Sequence, residues 1–420
     1  MIDTVISSTR GGGTAAGVTT FDAGTATWTR IAESTASPNF TGVGVAVTSD
    51  DLAHAAYWGN SPDGGRGVAI TTMATDGGLE REWILQSPSS GTGGGDLLKL
   101  VAQGPTLHAL TRTTNNDAFR LLYGQRTGTG WLEELPMTGA RVGNPAGYDL
   151  AVAANGTVHV AFQVTNAMGD AGTTAALVHG QRTGASAWTT TTIAVSTRTV
   201  ANEQTLGRSL ALTLDAFGEP VIAFEGDPFS LPDGGLGYTI DVARRSGGLG
   251  GAFAIETASD TQRHSTSASQ ANPLTVLVEP DGSLLLGYRR SDVNPFGSLT
   301  NGFRTLRKPA GGSWGPGPLP APGENVSSYA DYTRPRFVLG PGGARWLVTS
   351  NASNNLLLYR LSAAGIERFD GPRPTDSLNA AATFCDYAAL AFTSAGRPRV
   401  VCRSFFGDAF AYRVYFGTFE

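Results

Sequence analysis

The sequence predicts an all-β fold of seven repeated units, each of four antiparallel strands, on three observations. Short runs of Val, Ile, Ala, Phe and Tyr alternate with Gly-, Pro- and Asn-centred turns along nearly the whole chain. No window sustains the i, i+3, i+4, i+7 apolar spacing of a helix over three turns. One turn-and-strand pattern recurs seven times, at intervals of roughly 50 to 65 residues.

The clearest unit runs from 149 to 195. A short apolar strand at 150–153 leads through Ala154-Asn155-Gly156 into a second strand at 158–162. Asn-Gly favours positive φ in a tight hairpin. A polar loop at 163–173 separates these from a third strand at 176–181. A turn at 183–186 then leads to a fourth strand at 188–195, where Thr alternates with apolar residues. The first two strands are apolar on both faces, so both faces should be covered. Four antiparallel strands joined by hairpins and repeated along a chain are the blades of a β-propeller.

The remaining units follow the same plan. Second strands are expected at 53–57, 107–110, 221–224, 284–288, 346–348 and 400–402. The run 121–128 nearly duplicates 177–184, and a tryptophan follows each, Trp131 and Trp188. Trp28, Trp83 and Trp314 take the same place in other units, and Phe253 in the fourth. The last unit stops after a third strand at 412–419, and the strand it lacks is available at 27–31. The N-terminal strand is therefore expected to close the last blade and remove its free edge. The chain reads as a single propeller domain over 1–420, with 1–22 partly surplus. Within that surplus, 17–21 looks like another third strand competing for the closing place.

Composition narrows the partners. The 56 Gly and 22 Pro sit at turns between apolar runs, which argues against a disordered chain. A net charge of −5, with both signs interspersed, gives no footprint for nucleic acid. No apolar run approaches the ~18 residues of a membrane span. Met1-Ile2-Asp3 is not followed by a basic and then an apolar stretch, so no signal peptide is expected in this chain. Cys385 and Cys402 flank one hairpin, and a symmetric register sets Cys402 opposite about residue 389, which leaves free buried thiols unless a bulge intervenes.

The hairpin turn, the Gly-x-x-His-(Val/Ile)-Ala-(Phe/Tyr) strand and the Arg-Thr-Gly…Trp segment resemble the repeats of bacterial extracellular propellers of the sialidase-like, BNR-repeat kind. The resemblance covers about residues 27 to 419. It implies a seven-bladed propeller, an extracellular or cell-envelope location, and a role among sialidases, polysaccharide lyases and lectins. A sialidase is expected to carry Ser-x-Asp-x-Gly-x-Thr-Trp boxes at its turns. The nearest stretch, Asp215-Ala216-Phe217-Gly218-Glu219-Pro220, lacks the Thr-Trp, and no spacing singles out three arginines.

Loop length points to a functional face. Turns between strands one and two, and three and four, are short; the loops at the opposite strand ends are long and varied. The residues leaving strand two toward that face include Trp58, Arg112, Gln163, Glu225, Arg289 and Arg403. Asp149 and Asp386 sit at the start of first strands on the same side. These are the expected ligand-binding residues, since carboxylates, arginines and aromatics hold sugars by hydrogen bonds and stacking. For acid–base chemistry the candidates are His264, Tyr148, Tyr332 and Tyr387, with Arg208 and Arg289 to neutralise a carboxylate. His54, His108 and His159 fall mid-strand within the repeat and read as structural. Asp227, Asp233 and Asp292 are hard oxygen ligands in turn-rich segments, so calcium is the one cofactor to consider, without an EF-hand spacing. The expectation is a non-enzymatic, monomeric binding propeller for a glycan or surface protein. The rival is a polysaccharide lyase or glycosidase with its site at the axial mouth of the same face.

Overall fold

The computed structural model describes residues 4–7, 18–20, 26–34, 42–60, 66–74, 78–87, 98–115, 118–128, 130–137, 147–166, 174–196, 206–230, 236–263, 274–293, 299–318, 335–350, 356–362, 365–370, 384–406 and 411–419. Among them lie seven antiparallel four-stranded sheets, two of which gain a fifth strand. They are the blades of a β-propeller. The one helical turn among the described residues is the 3-10 segment Pro341–Gly343. The chain divides into two compact units. The first holds blade one (Val43–Val47 to Leu79–Ser87), most of blade two (Leu98–Gln103 to Gly130–Glu134), blade six (Arg336–Leu339 to Gly365–Asp370) and blade seven (Phe384–Phe392 to Ala411–Phe419). The second holds blades three (Tyr148–Val152 to Ala187–Ser196), four (Leu210–Leu214 to Phe253–Arg263) and five (Leu274–Val278 to Gly315–Pro316).

In six of the seven blades the hairpin between strands one and two has one geometry, and blade two instead turns through the two residues Gly104 and Pro105. In blade three the N–H of Gly156 donates to Ala153 O at 2.8 Å, and the N–H of Ala153 donates to Thr157 O at 2.8 Å. Gly156 takes φ 84°, whereas Asn155 keeps negative φ and uses its side-chain oxygen to accept from Thr157 N at 3.0 Å. Asparagine thus serves as a side-chain cap of the turn, and the left-handed position is left to glycine, which has no Cβ to clash there. Gly218, Gly282, Gly343 and Gly396 repeat this at φ 79°, 80°, 75° and 81°. In blade one the glycine's place is held by Asp51, at φ 61°.

Each blade's second strand carries the core. Tyr57, Phe162, Phe224 and Tyr288 occupy equivalent positions, four residues into that strand, and are buried. Each such ring contributes roughly 2–3 kcal/mol by leaving water. In blade seven the equivalent residue is Cys402, and it is disulfide-bonded to Cys385. The symmetric register expected from sequence does not hold: a bulge between Asp386 and Ala389 shifts the first strand, so that the two Cα atoms come within 5.6 Å. A covalent bridge there fills the place of an aromatic ring.

The N-terminal segment closes blade seven as expected. Ala26–Ser34 pairs antiparallel with Ala411–Phe419, and Gly417 leaves room for the Trp28 ring, whose atoms would lie 2.8 to 3.0 Å from an added Cβ. The surplus residues find other edges. Thr4–Ser7 adds to the outside of the closing strand, and Val18–Thr20 pairs in parallel with Ile366–Arg368 of blade six. Of the 17–21 stretch, Val18–Thr20 therefore does not take the closing place; it covers a different sheet edge. The tryptophans expected at one place share a strand face but not a rung. Trp188 pairs opposite Arg182 and Phe253 opposite Arg245, but Trp28 opposite Gly417 and Trp83 opposite Ala69.

The Arg-Thr-Gly…Trp repeat acquires a physical meaning in the seams. In the first unit, Arg126 bonds to Glu82 of the preceding blade, and the indole N–H of Trp131 donates to the same carboxylate at 3.0 Å. In the second unit, Glu134 accepts from Arg182 Nη2 at 2.7 Å, Ser186 N at 2.8 Å and Trp188 Nε1 at 2.8 Å. Arg245 reaches back to Gln181 at 2.7 Å, and Lys308 to Glu256. Four successive blades thus carry a cation that grips the blade before it. Burial would raise the Glu134 carboxyl, but its hydrogen bonds from Arg182, Ser186 and Trp188 outweigh this and hold it below the usual carboxylate range. Glu134→Ala is expected to cost about 3 kcal/mol in urea denaturation, because it strands a buried guanidinium and an indole N–H. Replacing both cysteines by serine is expected to cost about 2–4 kcal/mol in the same assay.

Candidate functional site

Trp58, Arg112, Gln163, Glu225, Arg403, Tyr148, Asp149 and Arg208 are all between 0 and 5% exposed. Several of them hold blades together. Gln163 Nε2 donates to Leu206 O at 2.7 Å. Asp149 accepts from its neighbour Leu150 N at 2.8 Å and from Leu212 N, on the first strand of the next blade, at 2.9 Å. Arg208 Nε lies 3.6 Å from Glu225 Oε2 in a buried ion pair. Buried charges persist when paired in this way, and the variation along these positions is variation among interlocking partners. Trp58 is packed in blade one, and its indole N–H has no partner among the described residues.

Arg289 and Asp292 lie on the second strand of blade five, and Asp386 and Tyr387 on the first strand of blade seven; their side chains fall outside the description. His264, Tyr332 and Asp233 lie outside the described residues. Asp227 is half-buried on the second strand of blade four. Among the described residues no group of three or more His, Cys, Asp or Glu is placed to hold a metal ion.

The mid-strand histidines are structural. His54 contacts Thr48 Oγ1 at 3.1 Å and Thr72 Oγ1 at 2.9 Å. His108 meets Tyr123 Oη at 2.7 Å. His159 Nδ1 meets His179 Nε2 at 3.1 Å with the rings stacked at 5.3 Å. Burial, and then the nearby Arg126, push His54 down to about 4. Burial, and then Arg245, push His159 down to about 4. His179 falls to about 3 through burial and then His159 and Arg245. The imidazoles of His54, His159 and His179 are neutral hydrogen-bonding groups at neutral pH.

One side of the first unit offers an accessible site that sequence spacing did not reveal. Where blade seven meets blade one, a cavity of about 530 Å³ opens at the hairpin end of the strands. Thr27 and Thr418 come from the closing strand and its partner, and Arg397 and Arg399 from the start of the second strand of blade seven. Asp51 enters from the hairpin of blade one, above Ala53 and Met73. Asp51 is fixed by Ser394, whose backbone N–H donates at 2.6 Å and whose hydroxyl donates at 2.5 Å. Those hydrogen bonds, with the Arg399 charge beyond them, hold the Asp51 carboxyl below its ordinary range. It is an ionised acceptor and not a proton donor. The Arg397 guanidinium is exposed and has no hydrogen-bond or ion-pair partner among the described residues. The cavity lies at the strand ends opposite to those that loop length singles out. The one legible signal was Asp51, an aspartate in the turn position that glycine holds in blades three to seven.

No protein-family model matches the chain, and no curated protein matches it. Among solved structures it is similar to the phage phi92 endosialidase, at 12% identity over 94% of this chain and 68% of that one, with a TM-score of 0.48. It is similar to a leech intramolecular trans-sialidase at 13% identity, over 92% of this chain and 68% of that one, TM-score 0.43. A fucose-specific lectin from Aleuria aurantia is 13% identical over 79% of this chain and 94% of that one, TM-score 0.44. These are likenesses of fold.

The histidine environments fix a pH response. The folded rings take up protons only near pH 4 or below, whereas unfolded ones do so near 6.5, so the unfolded state binds more protons in between. Stability is therefore expected to be full above pH 6.5 and to fall as pH is lowered from 6.5 toward 4, read from urea midpoints. Imidazole NMR shifts should still report neutral rings at pH 5; protonated rings at that pH would contradict the buried arrangement.

Proposed function

We propose that the protein is a carbohydrate-binding propeller that performs no chemistry on its ligand. The observation that carries this reading is the lining of the seam cavity. It combines threonine hydroxyls, guanidinium groups and one fixed carboxylate over an apolar floor, the combination by which proteins hold sugar rings. Among the described residues its one carboxylate is held ionised by hydrogen bonds from Ser394, and no imidazole or thiol of those residues lines it. The described acid–base candidates add support, since Tyr148 and Arg208 are buried away from solvent. A buried disulfide fits an oxidising compartment, which favours the extracellular or cell-envelope location. A glycan is thus the ligand preferred over a protein surface.

A glycan and polysaccharide array on the purified chain, run with calcium and with EDTA, tests this. Binding to one sugar class is expected, unchanged by EDTA because a single carboxylate among the described residues lines the cavity. Reducing ends or ultraviolet-absorbing unsaturated products, accumulating from any hit, would replace the binding role with a glycosidase or lyase.

A further inference from the structure

Four blades place a cation at one position of the third strand; blades one, six and seven place Met73, Leu361 and Phe419 there. Thr72 pairs with His54 as Gln181 pairs with His159, so Met73 stands where Arg182 stands in blade three. By the same register Arg245 and Lys308 hold this position in blades four and five. The acceptor side has changed too. Glu82 and Glu256 pair with Ile70 and Val242, but at that rung the closing strand presents Thr29 opposite Phe416. Thr418 occupies the position of Gln181, which elsewhere receives Arg245. With Asp51 in a glycine's place, three departures from the repeat meet at one seam, and Asp51, Met73 and Thr418 all line its cavity. Aromatic rings fill the seam between blades six and seven, where Trp346 packs on Phe369 and Phe392 at 5.2 Å. At the seam between seven and one the space is open.

We propose that this seam is a binding site for an acidic saccharide, one bearing a carboxylate or sulfate group; the assignment rests on the carbohydrate-binding reading above. Arg397 supplies the recognition of charge. Its neighbour Arg399 already donates to Pro398 O at 3.1 Å and faces Asp51, whereas Arg397 lacks an anionic partner among the described residues. A planar guanidinium takes a carboxylate or sulfate through paired N–H donors. A cavity of about 530 Å³ far exceeds a free inorganic anion and suits one or two sugar rings. Asp51 keeps lone pairs beyond those bonded to Ser394, and it can accept from sugar hydroxyls. Met73 and Ala53 offer the apolar surface for the C–H face of a ring.

The test is calorimetric titration of the full chain with a neutral oligosaccharide, its carboxylated counterpart and its sulfated counterpart, with inorganic sulfate and acetate alongside. Arg397→Gln and Ala395→Trp change exposed residues, and circular dichroism and thermal melts confirm that each variant folds. Both acidic sugars are expected to bind at least about tenfold more tightly than the neutral one, by the worth of a charged hydrogen bond. Their affinity should fall with added salt. Arg397→Gln should erase the difference, and Ala395→Trp should abolish binding by narrowing the mouth. The ranking of the two acidic sugars identifies which acid group the site takes. Equal binding of the neutral sugar, or acid binding unmoved by either variant, overturns the seam assignment and leaves the carbohydrate reading standing. Sulfate or acetate binding as tightly as the acidic sugars overturns the saccharide. Binding of no saccharide overturns both.

Discussion

The constraint on which the structure depends is that the inner strands of each blade are covered on both faces. A polar group placed there has to find its partner within the blade or on the next one, because water is not available to it. Glu134 shows the solution in full: one buried carboxylate receives a guanidinium, an indole N–H and a backbone N–H from the following blade. Asp149 does the same for an inner strand, by accepting the N–H of Leu212 that has no ladder partner on that side. The repeat in the sequence is thus a repeat of seams as much as of strands.

Closure places different demands on the last blade. Its fourth strand comes from the other end of the chain, and its second strand carries a cysteine in the place of an aromatic ring. A bulge in the first strand brings the two sulfurs together, and a glycine opposite Trp28 lets the closing strand seat its ring. Because this strand is not the product of the preceding repeat, it need not carry the repeat's carboxylate. The seam beside it is held instead by Arg81, which reaches Ile31 O, and by the Asp51–Ser394 contact. The cavity opens beside the Asp51–Ser394 contact.

Charge in a strand sequence therefore has two meanings. Arg208 and Glu225 carry the same charged groups as Arg397 and Asp51, yet the first pair is buried and mutually compensated, and the second lies at a surface with one guanidinium uncommitted. Variation between blades does not separate them. Exposure and partnering do, and both are properties of the folded seam.

The sequence alone determined the strand pattern, the seven-fold repeat, the closing of the last blade by the N-terminal strand and the structural nature of His54, His108 and His159. Each follows from local chemistry that a single unit displays: turn glycines, a two-residue side-chain period and a repeated register. The tertiary structure decided what depends on two units at once. It decided that Gln163 and Asp149 are cross-blade fasteners, that Glu225 pairs with Arg208 inside blade four, that Cys385 and Cys402 meet across a bulge, and that Val18–Thr20 covers the edge of blade six. It also decided that Met73 faces a threonine-lined gap, a fact invisible in its own repeat because the two threonines, Thr27 and Thr418, come from chain segments 391 residues apart. Contacts between distant segments are set by register and packing, which no local window of residues contains.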